Sequence, residues 1–241
     1  MSGKGGVGKS VVSASLSGIM AKSGLRVGLM DADIYGPSSA LLFGAHGLPA
    51  EGESGLVPPD RGGVKVMSVD LFAAGRPIPL AGSGANEILL ELLALTDWGE
   101  LDCLVVDMPP ATGDIMMTLT SLRSGDVGAL VVTMTDRLST TVAHRVLELL
   151  KGGDVATIGI LGNMVRYSAG KGGKGEQGPR GLASEFGVPL LGNLPFDPDV
   201  SRAVDRGEMG MLLKSKFARD LQKALGGYVA SLSLRNAGSR P

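Results

Sequence analysis

A run of glycines near the start of the chain has the spacing of a phosphate-binding loop. Residues 3–10 read GKGGVGKS, which fits the pattern G-x-x-x-x-G-K-[ST], and a helical pattern over 11–21 follows at once. Glycines let the backbone curl so that successive N–H groups point at phosphate oxygens, and the N-terminus of the next helix favours the same anion. A glycine-rich turn capped by Ser10 is the alternative, but it does not explain why the pattern and the helix occur together.

The side chains of this loop suit a magnesium nucleotide. The Lys9 ammonium is expected to reach the β- and γ-phosphates, and the Ser10 hydroxyl is expected to bind Mg²⁺. ATP and Mg²⁺ are therefore the predicted cofactors. The residues expected to contact the nucleotide here are Gly3, Lys4, Gly5, Gly6, Val7, Gly8, Lys9, Ser10 and Val11.

Two acidic segments complete the candidate site. Asp31 and Asp33 follow one apolar run, and Asp107 closes another. Carboxylates at strand ends beside a phosphate loop are placed to hold Mg²⁺ through water and to orient an attacking water. An aspartate at a strand end can also simply cap the next turn. Because three aspartates occur together beside the phosphate loop, we favour a functional role over capping. We assign Asp31 and Asp107, with Ser10 of the loop, to the metal.

Short apolar runs alternate with helical periodicity along most of the chain. This pattern predicts an α/β fold, a mostly parallel twisted sheet flanked by helices on both faces. The predicted strands are 25–30, 64–69, 102–107, 127–133, 156–163 and 189–194, and the predicted helices are 9–22, 84–96, 114–122, 139–150, 181–186 and 213–230. Several strands end in a polar residue (Asp31, Asp70, Asp107, Asn163), which predicts a polar rim where ligands bind.

Three segments fall outside this pattern. Residues 51–63 are rich in Gly and Pro and predict a surface loop, and 168–179 are low in complexity and predict a mobile loop. We expect a single domain over 1–235 and a frayed tail over 236–241. Only Met1 and Ser2 precede the phosphate loop, which normally follows a buried strand, so we expect that the chain starts at an internal methionine of a longer product.

Composition narrows the classes of partner. The formal net charge is -1, so no global positive field exists to hold nucleic acid. The single cysteine, Cys103, cannot form an internal disulfide, and no cleavable signal precedes the loop, which favours a reducing cytoplasm. The longest apolar runs are too short to cross a bilayer, so a soluble protein is expected and a membrane partner is not.

These motifs together resemble the Mrp (ApbC-like) subfamily of the MinD/ParA ATPases over nearly the whole chain. KGGVGKS at 4–10 resembles the deviant phosphate loop of that superfamily, with its extra early lysine. DADIYGPS at 31–38 and DMPPATGD at 107–114 resemble its two switch segments, although Ala111 stands where the family usually has Gly. GNM at 162–164 and LPFDP at 194–198 resemble its adenine-side loops.

The resemblance implies roles for single residues. Lys4 would reach across a two-fold interface to the ATP of the partner and tie nucleotide state to closure of a homodimer, and Asp33 would position the hydrolytic water. The implied catalytic set is thus Lys4, Lys9 and Asp33. Asp107 would stand in the second shell of Mg²⁺, while Asn163 would read adenine beside Pro195.

The chain departs from the family at the expected iron–sulfur site. Members that assemble clusters carry a Cys-x-x-Cys pair shortly after the Asn-Met motif, whereas residues 166–171 here read RYSAGK. Cys103 lies in an apolar strand, where a thiol is usually a small hydrophobe. We therefore do not expect an iron–sulfur cluster on this chain alone, and we expect a cysteine-bearing partner or an iron–sulfur client.

The predicted function is that of a dimeric Mg-ATP hydrolase of Mrp type in iron–sulfur protein maturation. The alternative is a MinD/ParA-like ATPase that positions a membrane or DNA cargo, and a nucleotide-binding scaffold without turnover is a third. The stripe Leu213, Phe217, Leu221, Leu225 and Tyr228 could lie on lipid, as the alternative needs. The same spacing describes a helix that packs on a sheet, which we favour.

Overall fold

The computed structural model describes residues 5–73, 84–110, 113–121, 126–165 and 177–237. Gly3, Lys4, Ala111 and residues 168–176 of the predicted mobile loop lie outside this part, as does most of the predicted tail. The chain divides into two compact units. The first comprises Met1–Lys9 and Met108–Asp197, and the second comprises Ser10–Asp107 and Pro198–Pro241.

Strands and helices alternate along the described residues. The strands are β1 (Val27–Asp31), β2 (Ala50–Gly52), β3 (Gly55–Val57), β4 (Asp60–Arg61), β5 (Val64–Met67), β6 (Cys103–Asp107), β7 (Gly128–Thr133), β8 (Ala156–Val165) and β9 (Leu190–Pro195). The helices are α1 (Lys9–Lys22), α2 (Ser39–Leu42), α3 (Asp70–Ala73), α4 (Gly84–Leu95), α5 (Gly113–Ser121), α6 (Arg137–Gly152), α7 (Gln177–Phe186), α8 (Pro198–Arg206), α9 (Met209–Leu212) and α10 (Lys216–Ala237).

The second unit is built on a four-stranded sheet in the order β4-β5-β1-β6. Strand β1 pairs in parallel with both β5 and β6, and all five of its residues are buried. A strand covered on both faces needs a continuous apolar run, which Val27, Leu29 and Met30 supply. Because β1 and β6 run in register, the C-terminal residues Asp31 and Asp107 lie side by side.

The first unit is built on a parallel sheet in the order β7-β8-β9. Helix α6 lies between β7 and β8 in the chain, and α7 lies between β8 and β9. Parallel neighbours require such crossovers, since a tight turn can join only antiparallel strands. This arrangement places the C-terminal ends of β8 and β9, including the pair Val165 and Pro195, at one edge of the sheet.

The predicted α/β alternation is confirmed, and each of the six predicted strands and six predicted helices has a counterpart. The loop predicted over 51–63 is wrong in part, because β2 and β3 form an antiparallel hairpin there, with β2 exposed and β3 partly exposed, and β4 pairs with β5. Helices α2, α3, α8 and α9 were not predicted, and α10 begins and ends later than the predicted 213–230. Asp70 begins α3 instead of ending a strand.

The apolar stripe of the last helix faces the protein interior. Phe217, Leu221 and Leu225 of α10 are buried, as the packing interpretation predicts. No helix within the described ranges combines the length and the apolar character that crossing a membrane requires.

Truncating this stripe should destabilise the protein. Leu221 is 0% exposed, so Leu221→Ala should lower the free energy of unfolding by about 2–5 kcal/mol through lost burial and a residual cavity. Leu234 of the same helix is 76% exposed, and Leu234→Ala should change the free energy of unfolding by less than about 0.5 kcal/mol. Urea denaturation measures both, and equal costs would contradict a core-facing stripe.

Candidate functional site

The glycine-rich loop has the backbone shape that binding an anion requires. Gly6 and Gly8 hold φ angles of 78° and 89°, in the left-handed region that favours glycine. Val7 between them is fully buried, and the loop runs directly into the fourteen-residue helix α1. Curled backbone of this kind gathers N–H groups into a concave anion site. In the described part of the loop, from Gly5 onward, the backbone is curled as the glycine spacing predicts, and phosphate binding by the loop stays a prediction.

Asn163 holds this loop from the end of strand β8. Its Nδ2 donates a hydrogen bond to the carbonyl oxygen of Val7 at 2.9 Å, and the residue is only 3% exposed. A Cβ added to Gly8 would overlap that Nδ2 and would stand 3.5 Å from Cε of Met164. The sequence motif pointed to Asn163 as a nucleotide-site residue, but the contact with the loop backbone was not foreseen.

Asp31 organises the segment that follows strand β1. One carboxylate oxygen accepts the N–H of Asp33 at 3.1 Å, and the other accepts the N–H groups of Ser38 and Ser39, each at 2.8 Å. Asp33 is partly exposed, and its Oδ1 accepts the N–H of Gly36 at 3.1 Å. The two carboxylates thus shape one loop, the first from inside the protein and the second at its surface.

Asp107, the last residue of strand β6, accepts hydrogen bonds from helix α1 and from the residue that follows strand β1. Its Oδ1 accepts the hydroxyl hydrogen of Ser13 at 3.2 Å, and its backbone oxygen accepts the N–H of Ala32 at 2.9 Å. Two members of the predicted polar rim, Asp31 and Asp107, end adjacent parallel strands. Asn163 lies in the separate β7-β8-β9 sheet. Ser13 was missed in the sequence, although a serine one helical turn after Ser10 on a mostly buried helix was a usable signal.

Burial and the nearby charge of Asp107 raise the pKa of Asp31 to about 6, against the opposing effect of its three backbone hydrogen bonds. A divalent cation would relieve the repulsion between these two carboxylates. The predicted metal ligands, these two carboxylates and the Ser10 hydroxyl, would make an all-oxygen donor set, which suits a hard cation such as Mg²⁺. Across the described ranges no cluster of three or more His, Cys, Asp or Glu side chains could hold a metal by itself. Magnesium would thus depend on the hydroxyl and on phosphate oxygens as well.

The raised pKa predicts a pH dependence of stability without nucleotide and metal. Between the unfolded pKa of 3.8 and the folded pKa of about 6 the native state binds the extra proton, so the Asp31 contribution to stability falls as pH rises. Relative to Asp31→Asn, the wild type should lose about 2 kcal/mol between pH 4.5 and 7. Urea denaturation of both proteins at several pH values measures this difference. A difference that stays constant with pH would contradict the prediction.

The remaining predicted residues are placed as follows. Lys9 and Val11 lie in the first turn of α1, Lys9 being nearly buried, and Pro195 ends strand β9. Gly3 and Lys4 lie outside the described residues, so their assignment stays a prediction. Cys103 is partly buried in β6, and burial followed by the charge of Asp102 raises the pKa of its thiol to about 11.

A protein-family model matches residues 1–229, and it is described as ParA, NUBPL iron-transfer P-loop NTPase. The match covers nearly the whole chain. This chain belongs to the NUBPL iron-transfer P-loop NTPase family. The resemblance to Mrp-type members of the MinD/ParA ATPases that the sequence motifs indicate is thereby confirmed, and with it the P-loop NTPase fold class.

Individual relatives agree with this assignment. The chain is 35% identical over 217 residues to an iron-sulfur cluster carrier protein of Saccharolobus solfataricus, covering 86% of this chain and 73% of that one. It is 33% identical over 250 residues to a protein of the same name from Deinococcus radiodurans, covering 100% of this chain and 71% of that one.

Solved structures resemble the chain as well. A nucleotide-binding protein from Archaeoglobus fulgidus in complex with ADP matches with a TM-score of 0.71 and 33% identity, covering 87% of this chain and 85% of that one. The cell division ATPase MinD of Pyrococcus furiosus matches with a TM-score of 0.68 and 22% identity over 95% of each chain, and it supports the fold alone.

Proposed function

We propose that this chain binds and hydrolyses Mg·ATP as a homodimer and that this cycle serves the transfer of iron–sulfur clusters. The observation that carries the proposal is the loop from Gly5 to Lys9, where two glycines with positive φ lead into a helix. Family membership and the names of the relatives, iron-sulfur cluster carrier proteins, support the choice of cargo.

Nucleotide binding is assigned to loop amides and a few side chains. The N–H groups over residues 3–11 surround the phosphates, and Lys9 places its charge on the β- and γ-phosphates. Ser10, Asp31 and Asp107 would hold Mg²⁺, the two carboxylates acting through water; the ion, when bound, neutralises phosphate charge. Asn163 and Pro195 form the adenine side.

Hydrolysis is assigned to Asp33 and to a lysine from the second subunit. Asp33 is the more exposed of the two carboxylates of its loop, so its Oδ2 is available to position an attacking water. Lys4 of one subunit contacts the phosphates bound by the other, which makes turnover depend on dimer closure. A cation supplied in this way lowers the barrier of phosphoryl transfer, as arginine fingers do.

The cysteine content of the chain does not fit direct ligation of a bridging cluster. A cluster of this kind needs about four thiolates, whereas two copies of these 241 residues supply two cysteines. Each is a Cys103 in strand β6, where burial and then the charge of Asp102 raise the pKa of the thiol to about 11, which opposes formation of the thiolate that binds a cluster. The proposal therefore assigns the cluster ligands to a cysteine-bearing partner and the nucleotide-driven step to this chain.

A phosphate-release assay tests the ATPase part. The wild type should hydrolyse ATP only with Mg²⁺, and its rate per chain should rise with protein concentration as dimers form. Asp33→Asn should reduce the rate by about a hundredfold or more. Asp60→Asn is the matched control, because Asp60 also accepts the N–H of the glycine three residues later, Gly63, at 2.9 Å but lies in β4. Equal rates for the two variants would contradict the role of Asp33.

Reconstitution tests the cargo part. Anaerobic incubation of the chain with iron and sulfide should leave no chromophore that survives gel filtration, and transfer should require a cysteine-bearing partner captured with the ATP-bound Asp33→Asn form. A stoichiometric cluster that stays on the chain alone would contradict the division of labour proposed here.

A further inference from the structure

We propose that Asn163 is a positioning residue that keeps the phosphate loop in its anion-binding shape, independently of which base the bound nucleotide carries. This inference rests on the proposed nucleotide site and deepens it. A role in reading adenine concerns the base alone. The role proposed here concerns the phosphates, which Asn163 affects through the backbone of Val7.

The direction of the hydrogen bond carries the argument. Asn163 donates from Nδ2 to the carbonyl oxygen of Val7 at 2.9 Å, and both residues are buried. An anion site made of N–H groups fails if a carbonyl of the same loop turns inward, because two negative oxygens would face each other. The amide of Asn163 gives that carbonyl a fixed partner and so holds it in one orientation. In the intact protein this bond is shielded from bulk water, since Asn163 is only 3% exposed.

The close packing of Asn163 against Gly8, the residue after Val7, also supports a positioning role for Asn163. The Asn163 amide occupies the space where a Cβ at Gly8 would stand, and the Met164 side chain would be in van der Waals contact with that Cβ. Gly8 itself has a φ of 89°, and Met164 has a φ of 53°, which is uncommon for a residue with a side chain. The loop and the end of strand β8 are therefore packed closely at Gly8, with no room for a side chain at that position.

One amide can serve both the loop and a base. Nδ2 carries two hydrogens and Oδ1 accepts, so the bond to Val7 uses one of the hydrogens and leaves the other groups for a ligand. The two roles predict different losses when Asn163 is replaced. Loss of base reading weakens ATP only, whereas loss of loop positioning weakens every ligand that binds through a triphosphate.

The experiment compares Mg·ATP with magnesium tripolyphosphate, which has no base. Titration calorimetry gives the affinity of each ligand for the wild type, Asn163→Ala and Asn163→Asp. The aspartate variant keeps the size of the side chain, removes the donor and adds a negative charge, so the alanine variant is the one that isolates loss of the donor. We expect both variants to weaken both ligands by a similar factor, about tenfold or more. Asn193→Ala is the control, since Asn193 is exposed in β9 and in register with Gly162, and it should change either affinity by less than about twofold.

Two measurements without ligand, thermal melts and hydrogen exchange, distinguish a loss of loop positioning from a loss of the fold. Thermal melts establish that each variant is folded, and hydrogen exchange then reports the loop amides over residues 5–9. Exchange there should accelerate about tenfold or more in Asn163→Ala and stay unchanged in Asn193→Ala. A folded Asn163→Ala that binds tripolyphosphate as the wild type does, with weaker ATP binding, would overturn the inference and leave the proposed function standing. A wild type that binds neither ligand would overturn both.

Discussion

Replacing Lys9 with alanine should weaken the binding of Mg·ATP by at least about a hundredfold. Lys9 is the first residue of helix α1, immediately after the glycine loop, and it is only 8% exposed. A buried ammonium beside phosphate oxygens interacts through a medium of low dielectric constant, where its charge counts for more than at the surface. Titration calorimetry of the variant against the wild type measures the loss.

Lys22→Ala is the matched control for this prediction. Lys22 ends the same helix and is exposed, so the variant makes the same chemical change at the opposite end. Its affinity for Mg·ATP should stay within about twofold of the wild type, since exposed charges contribute little. If Lys9→Ala binds as well as Lys22→Ala does, the glycine loop is not the nucleotide site.

Replacing Lys4 with alanine should have the opposite profile. Binding of Mg·ATP should stay within about threefold of the wild type, whereas hydrolysis should fall by about a thousandfold, the scale that arginine fingers reach. ATP-dependent dimerisation should be lost as well, because the ammonium of Lys4 is assigned to the nucleotide of the partner subunit. Phosphate release and light scattering measure the two losses, and equal binding defects in Lys4→Ala and Lys9→Ala would contradict the assignment.

Mixing the two variants tests whether Lys4 acts across the interface. A Lys4→Ala subunit can still bind ATP through its own Lys9, and a Lys9→Ala subunit can still supply Lys4. A mixed dimer therefore contains one complete site, and the mixture should recover part of the wild-type rate although neither variant alone does. No recovery in a mixture that dimerises would place Lys4 in the site of its own chain.

The sequence was sufficient to predict the sheet and its acidic edge. Strands β1 and β6 are apolar runs that end in Asp31 and Asp107, and parallel pairing in register brings those two ends together. Local pattern was enough here, because the buried strand β1 needs continuous apolar residues and the polar residue at the end of each apolar run marks the edge of the sheet.

Helix α8 was missed although its sequence carries a usable signal. It reads PDVSRAVDR, with Pro198 at its first position and Val200, Ala203 and Val204 on one face. That apolar stripe is only three residues long, which makes it easy to overlook. The β2 and β3 hairpin lies in a segment whose glycines and prolines suggest a loop, and its strands are three residues long. Short polar elements depend on packing that a single sequence does not reveal.

In the candidate site, too, features set by local sequence were predicted and contacts between distant residues were not. The spacing of the glycines and Lys9 predicts the loop, because the motif is local. The contact of Asn163 with Val7 joins residues 156 positions apart, and the bond of Ser13 to Asp107 joins residues 94 positions apart. Such contacts follow from the tertiary fold. A sequence motif can therefore indicate that Asn163 belongs to the candidate site without showing that it binds the carbonyl oxygen of Val7.

Titration of Mg·ATP into the wild-type chain tests the central claim most directly. Calorimetry at two temperatures should show saturable binding with one site per chain, and EDTA should weaken that binding by removing the metal. A properly folded sample that shows no binding heat at either temperature, and no competition by ADP, would contradict the assignment of residues 5–10 as a nucleotide site.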